Sequence, residues 1–343
     1  MLRIADIARK ANVSAATVSR AINQPGIVAP GRLKHIHSVM RELDYEPPPP
    51  EHRRGPKRHQ AEVRKIGVWF SGGRAGDPNF DWFRNELNKA QERNPRYRID
   101  LTMLFSSGAR ELPREIREKS FDGIIIQGEE PAPEIVARIS STPCVWFMTR
   151  RSTSFRGDYI EPDNEANGRM GADYLRSLGY TNVAAITIEP DYSAIARRVR
   201  AFKEHALELG LAVHCVLGVS HDTKFLTTPP TPSEIATLVK RYLAVKPPAG
   251  GLYIPSDYYC GMIFRALREA GRLPGRDYNA ILGHYTPELY HNLDHSPAFI
   301  DINLPTLVNK LVDHLLWRIE NPGAIGRIGL MVSPTLMPCP QGG

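Results

Sequence analysis

No stretch of this 343-residue chain approaches the roughly 18 consecutive apolar residues that a membrane-spanning helix needs. The opening "MLRIADIARK" carries charge with no apolar segment behind it, so no secretory signal is expected and the chain reads as a soluble, cytoplasmic protein. Four cysteines, Cys144, Cys215, Cys260 and Cys339, are far apart and show no C-x-x-C spacing. That argues against a disulfide framework or a zinc ribbon and for reduced thiols. Catalytic signatures are missing as well: there is no G-x-S-x-G, no H-E-x-x-H and no phosphate loop, and the carboxylates are too scattered to suggest an acid/base pair. The 11 histidines do not fall at ligand spacing; His35 and His37 lie in a basic stretch, and His284, His291 and His295 in a loop-like one where solvation is expected. Neither an enzyme nor a bound cofactor or metal is predicted. The glycines of "SGGRAGDPNFDWF" do not match G-x-G-x-x-G, and no acidic residue follows where a dinucleotide fold requires one.

What the chain does have is unevenly placed positive charge. The first 65 residues hold 13 Lys and Arg against 6 Asp and Glu, while the remainder holds 31 of each. A basic head on a neutral body predicts a polyanionic partner for the head and a different task for the body.

The head reads as three short helices. Ile4, Ile7, Ala8 and Ala11 recur at helical spacing, then Val18 and Ile22 after a break at Asn12-Val13-Ser14, then Leu33, Ile36, Met40 and Leu43 after Pro30. Each stripe is too narrow to stand alone, so the helices must pack together as a helix-turn-helix with a third support. Ser14 is placed to cap the second helix. Opposite the Val18 and Ile22 stripe stand Ala15, Ala16, Thr17, Ser19 and Arg20, a flat and small-residue face that fits the ~12 Å major groove of DNA. Arg20 can contact guanine bidentately, and Thr17 and Ser19 can reach phosphates or base edges.

The run "IADIARKANVSAATVSRAINQPGIVAPGRLKHI", followed by "LDYEP", resembles the DNA-binding unit of the LacI/GalR family of bacterial transcription regulators. The resemblance implies that Ala15, Ala16 and Arg20 face bases while Ser14, Thr17, Ser19 and Asn23 contact or position the phosphate backbone. Arg3 and Ala29 stand where the family has capping hydroxyls, which predicts less firmly fixed starts for the flanking helices.

In the body, nine apolar strand candidates, from "KIGVWF" to "AFIDIN", alternate with six helical patterns. That rhythm predicts right-handed βαβ units and parallel sheets, divided between two subdomains with a ligand cleft at the carboxyl ends of their strands. The expected fold is an α/β core of two Rossmann-like subdomains, similar to periplasmic binding proteins, preceded by an all-α helix-turn-helix domain. The expected limits are 1–46 for the DNA-binding domain, 47–63 for a proline-rich basic linker, and 64–343 for an effector-binding core. Within the core, an N-subdomain of about 64–160 plus 286–318 and a C-subdomain of about 161–285 plus 319–340 are expected. "IEPDNEANGRMGADYLRSLGY" and "PSDYYCGMIFRALREAG" resemble segments of the family's effector core.

Candidate effector contacts follow from chemistry and from that resemblance. Asp257, after the strand "GLYIPS", is placed to cap a helix and to accept hydroxyl hydrogen bonds. Arg198, in "SAIARRVRAF", corresponds to the arginine with which the family holds effector, whereas Arg197 and Arg200 are expected to be solvated. Thr149 and Arg150 end "CVWFMTR", the family often having aspartate at the Thr149 position, and Asn303 ends "AFIDIN". Phe80 and Trp82 supply either apolar faces for a ring-shaped ligand or core contacts of the following helix.

The expected function is sequence-specific regulation of transcription, with repression more often than activation, controlled by a sugar or sugar-like effector. A homodimer on a near-palindromic duplex is expected, with no membrane partner, because one head alone buries little DNA surface and the terminal "SPTLMPCPQGG" carries no heptad repeat. A solute receptor predicts a signal and no basic head, and a sugar-modifying enzyme predicts turnover. In the linker, Pro47 to Pro50 favour extended polyproline structure and the leucine of the family's hinge helix is absent. Arg53 and Arg54, with Lys57 and Arg58, are therefore expected to hold DNA electrostatically.

Overall fold

A computed structural model describes residues 3–47, 61–72, 78–118, 120–148, 157–218 and 229–338, with backbone only at 78–82. The linker residues Arg53 and Arg54 fall outside the described residues, as do Thr149 and Arg150; for Phe80 and Trp82 the side chains do. The chain divides into two compact units, Met1–Glu62 and Val63–Gly343.

The first unit holds α1 (Ile4–Lys10), α2 (Ala15–Asn23), a 3₁₀ turn at Pro25–Ile27 and α3 (Pro30–Glu42). Ile7, Ala8, Ala11, Val18, Ala21, Ile36, Val39 and Met40 are buried together, with Ile4, Ile22, Leu33 and Leu43 at the margin. Asn12 turns the chain between α1 and α2 with φ of 52°, a left-handed value that asparagine tolerates. The start of α1 is better held than its Arg3 suggests, because Asp6 accepts the Arg3 N–H at 3.0 Å. Ala29 makes no side-chain cap of α3; Pro30 supplies a preset φ instead.

The second unit begins β1 (Glu62–Ser71), α4 (Pro78–Glu92), β2 (Tyr97–Ser106), α5 (Arg114–Glu118), β3 (Gly123–Gly128), α6 (Pro133–Ile139), β4 (Cys144–Phe147) and β5 (Asp158–Pro162). It continues α7 (Asn164–Ser177), β6 (Asn182–Thr187), α8 (Ser193–Glu208), β7 (Ala212–Leu217), α9 (Pro232–Ala244), β8 (Gly251–Ile254) and α10 (Cys260–Glu269). It ends β9 (Asn279–Leu282), α11 (Pro287–Tyr290), β10 (Ala298–Asp301), α12 (Leu304–Glu320), β11 (Gly329–Val332) and β12 (Thr335–Met337).

These strands form two sheets, ordered β11-β5-β4-β3-β1-β2 and β12-β10-β9-β8-β6-β7. In the first, β1, β3, β4, β5 and β11 run parallel; in the second, only β12 runs antiparallel among the pairings with β10, β9, β8, β6 and β7. Both sheets are covered on two faces, which explains the near-continuous apolar strands. In β1, Ile66 and Val68 face α4 and α12 while Trp69 faces the α6 side. In β8, Leu252 and Ile254 face α9 and α10 while Tyr253 faces α7 and α8. Strand order reverses between β1 and β3 in one sheet and between β6 and β8 in the other. Ligands of open α/β sheets lie beyond the carboxyl ends of the strands at such reversals.

The sequence-based boundaries are corrected in the last quarter of the chain. Residues 286–318 do not stay with the first sheet: β10 pairs with β9, Ala298 opposite Ile281, and only α12 packs on the first sheet. Nor do 319–340 stay with the second, because β11 pairs with β5 and β12 with β10. The chain thus crosses between sheets after β5, after β10 and after β11. Asn303 stitches the second crossing to the third: its Nδ2 donates to the Ser333 carbonyl at 2.8 Å and to Thr335 Oγ1 at 3.0 Å. Both amide hydrogens are used there, which leaves Oδ1 as the acceptor of the side chain.

Candidate functional site

On the head, α2 starts where Ser14 Oγ accepts the Thr17 N–H at 3.1 Å and shares a 2.8 Å hydrogen bond with Thr17 Oγ1. Burial of Val18 and Ala21 turns the opposite side outward. Ser14, Ala15, Ala16, Arg20 and Asn23 are exposed, and Thr17 and Ser19 are half-buried, with Asn23 Nδ2 donating to Ser19 Oγ at 3.4 Å. The face therefore offers two methyl groups, short hydroxyls and one guanidinium.

In the core, the strand reversals bring polar side chains together. α7 and α8 pack very closely: a Cβ on Gly168 would lie 2.3 Å from the Arg198 carbonyl oxygen and 2.7 Å from the Phe202 nitrogen. That contact needs glycine, and it seats Arg198 beneath the ends of β8 and β9. Arg198 is 3 % exposed. Its Nε donates to Asn164 Oδ1 at 2.8 Å and its Nη1 to the carbonyls of Pro255 at 2.7 Å and Gly283 at 2.9 Å. Asn167 links the same region, accepting from Tyr253 Oη at 2.6 Å and donating to the Gly283 carbonyl at 2.9 Å. Burial pushes the Arg198 pKa below its ordinary value, the charged form being costly in a dry site.

Asp257, 4 % exposed, does not cap α10, which begins at Cys260 after Tyr259. Its carboxylate instead engages His284 Nδ1 at 3.0 Å and the Thr286 N–H at 2.5 Å. Burial works to raise the Asp257 pKa, but His284 and the Thr286 donors outweigh it and hold the group below its usual range. The expectation of a solvated His284 is thereby corrected. Arg197 is corrected likewise: its two amino groups reach Glu161 Oε1 at 3.0 Å and Oε2 at 2.5 Å. Arg200 is the more open of the pair, 3.5 Å from Glu165.

In the first sheet, Ser71 ends β1 and Gln127 lies near the end of the neighbouring β3, through the pairing of Phe70 with Gln127 and Ser71 with Gly128. Ser71 Oγ, Gln127 Oε1 and Asn164 Nδ2 are buried without a hydrogen-bond partner. Burying such atoms unsatisfied costs about 1–3 kcal/mol each, so a ligand that meets them recovers that energy. The sequence reading missed Ser71, Gln127, Asn164 and Glu161. Strand-end position was the available signal for Ser71 and Gln127, whereas Glu161 shows only through its distant partner. Among the described residues no cluster of three or more His, Cys, Asp or Glu is arranged to hold a metal ion. No described helix is long and apolar enough to cross a membrane.

Residues 3–48 match the family described as bacterial regulatory proteins, lacI family. The chain is 24 % identical over 347 residues to the ribose operon repressor of Escherichia coli K12, covering 98 % of each. Its fold is similar to that of a lac repressor dimer bound to operator and an anti-inducer, with 19 % identity, 98 % of both chains covered and a TM-score of 0.61. It is also similar to a ribose-bound LacI family regulator from Enterococcus faecium, with 15 % identity, 80 % of this chain and 97 % of that one covered, and a TM-score of 0.63. The helix-turn-helix at 3–48 is thus similar to that of the lacI family, and the chain as a whole is similar in sequence to the ribose operon repressor and in fold to LacI-type regulators.

Proposed function

We propose that the protein is a sequence-specific DNA-binding repressor that acts in the cytoplasm as a homodimer. Its operator affinity is set by a small molecule held between the two sheets of the core. The observation that carries this is the outward face of α2, capped by Ser14 and presenting Ala15, Ala16 and Arg20, within a first 65 residues that hold the chain's whole excess of positive charge. Two methyl groups and a fork-shaped donor suit base edges in the major groove, and Thr17, Ser19 and Asn23 suit the flanking phosphates. Arg53 and Arg54, in a linker over 47–63, add sequence-independent attraction. Residues 1–46 act as the reading head and 64–343 as the sensor.

In the sensor, Arg198 and Asp257 hold the effector from the second sheet, with Ser71 and Gln127 opposite. Thr149, Arg150, Phe80 and Trp82 border the same strand ends in sequence and complete the site in this reading. Ligand bound across the cleft favours one closure angle, and the three crossings between the sheets act as the hinge. The two heads of a dimer are then respaced relative to the half-sites of a near-palindromic operator. The related proteins are repressors, and sensing rather than turnover is the role assigned to this cleft.

Selection of bound duplexes from a random pool, followed by titration at rising salt, tests the reading. A preferred site bound about 10³-fold or more above random DNA is expected to survive moderate salt. Loss of all binding with no preferred site overturns it, since that is the behaviour of charge attraction alone.

A further inference from the structure

Two side chains that are neighbours on α8 leave it in different directions. Helical residues turn by about 100° per position, so Arg198 follows the buried stripe of Ile195, Phe202 and Ala206 while Arg197 departs sideways. There it meets β5 of the first sheet: Nη1 donates to Glu161 Oε1 at 3.0 Å and Nη2 to Oε2 at 2.5 Å. Arg197 Nε donates to the Ser193 carbonyl at 3.4 Å, which holds the guanidinium along its own helix. Strand alternation turns Ile160 to the α4 and α12 face and Glu161 to the opposite one, where its side chain is 4 % exposed.

The place of the pair matters as much as its geometry. Glu161 stands two residues before Asp163, where the chain leaves the first sheet and caps α7. The Asp163 N–H donates to the carbonyl of Val332, the last residue of β11, at 2.9 Å, so the first and third crossings are joined there. A second tie from the start of α8 reaches the end of β4, Tyr192 Oη donating to the Met148 carbonyl at 3.4 Å. Hydrogen bonds are lost beyond about 3.5 Å, so a displacement of α8 by ~1 Å relative to β5 breaks the Arg197–Glu161 contact. A carboxylate buried without its cation is strongly unfavourable. The pair therefore favours one angle between the sheets and penalises departures from it, whereas an exposed ion pair would be nearly indifferent.

We propose that Arg197 and Glu161 are positioning residues that act as a latch: their ion pair holds the core at the angle of this structure and so sets the operator affinity of the ligand-free protein. This rests on the reading of the chain as a regulator whose core angle governs its heads. A ligand shifts such an equilibrium only by its difference in affinity for the two angles. One that favours another angle has to overcome the latch, and one that favours this angle works with it, so the pair fixes the baseline for both.

Hydrogen exchange of the full chain and fluorescence anisotropy on its selected operator, both without ligand, test this on three proteins. They are the wild type, Arg197→Lys, and the double variant Arg197→Met with Glu161→Gln, which removes both charges and leaves no unpaired buried ion to unfold the core. In the double variant the Asp163 amide is expected to exchange about tenfold faster, while amides of β6, held between β7 and β8, change much less. Its operator affinity is expected to differ from that of the wild type by about fivefold or more, the lower end of coupling between two sites. Arg197→Lys keeps the charge without the two-pronged contact and should fall between the two in both readouts. Unchanged exchange at Asp163 overturns the latch. So does an equal rise in β6, which marks the pair as a contributor to general stability alone. Faster exchange at Asp163 with an unmoved operator affinity overturns its part in regulation. Exchange needs no DNA, so a wild type that selects no operator removes the regulator reading, while the latch between the sheets is still decided at Asp163.

Discussion

Arg197 on α8 and Glu161 on β5 form a two-pronged ion pair, 3.0 and 2.5 Å, that ties a helix of the second sheet to a strand of the first. The Glu161 side chain is 4 % exposed and that of Arg197 22 %. A second tie runs parallel to it, Tyr192 Oη donating to the Met148 carbonyl at 3.4 Å. Because both ties bridge the sheets, they bear on the angle between them as well as on stability. Arg197→Met should cost about 1–3 kcal/mol in urea unfolding, less than the ~3–5 kcal/mol of a fully enclosed pair because Arg197 keeps some solvent. The double variant with Glu161→Gln should recover part of that loss, since no buried charge is then left without its cation. Additive losses would show that the two side chains act independently.

Replacing Arg20 should relax sequence preference rather than abolish DNA binding. A base-contacting arginine is worth about 1–3 kcal/mol of discrimination. Titration of Arg20→Ala on the selected site and on single-base variants should show that loss at one or two positions of each half-site. A uniform loss on every duplex, with a smaller salt slope, would mark Arg20 as a phosphate contact.

Gly168→Ala should destabilise the core by about 1–3 kcal/mol or more, because the added methyl meets backbone atoms of α8 that cannot turn aside. The same variant displaces Arg198, so its ligand-induced rise in melting temperature should shrink more than that of a surface control. Calorimetric melting with and without ligand checks both.

Acid should loosen the cleft through Asp257. Its pKa is held below the ordinary 3.8, so its contribution to stability is complete above that value and is lost as pH falls through the lower folded value. Asp257→Asn should therefore be less stable than wild type near neutrality, with the gap narrowing only as pH falls below 3.8. Urea midpoints across pH 3 to 7 measure the gap. A gap that stays constant with pH would show that the carboxylate charge contributes nothing.

Alternation of apolar strands and helical stripes made the architecture readable, as in β1 and β3, where burial on both faces leaves an apolar run. Three strands escaped the same reading. β5 is "DYIEP", and β11 and β12 are half-exposed edge strands, so none carries the buried apolar run that marks the others. They are also the strands around the crossings, which is why the subdomain limits drawn from sequence fail there. Asp257 was singled out by its place after a strand and Arg198 by the family resemblance, but the partners of neither were legible. Glu161 meets Arg197 across 36 residues and His284 meets Asp257 across 27, and no local pattern foretells either pairing. The α2 face was readable because its Ser14 cap and its buried stripe are both local.

The central claim is that the cleft and the DNA-reading head are energetically coupled. Fluorescence anisotropy of the full chain on its selected operator, with and without a small molecule found to raise its melting temperature, measures that coupling directly. The account predicts a change in operator affinity of about 5–150-fold in wild type, the usual span of coupling between two sites, and little change in Arg198→Gln. An operator affinity unmoved by a ligand that demonstrably binds the wild-type core would contradict it.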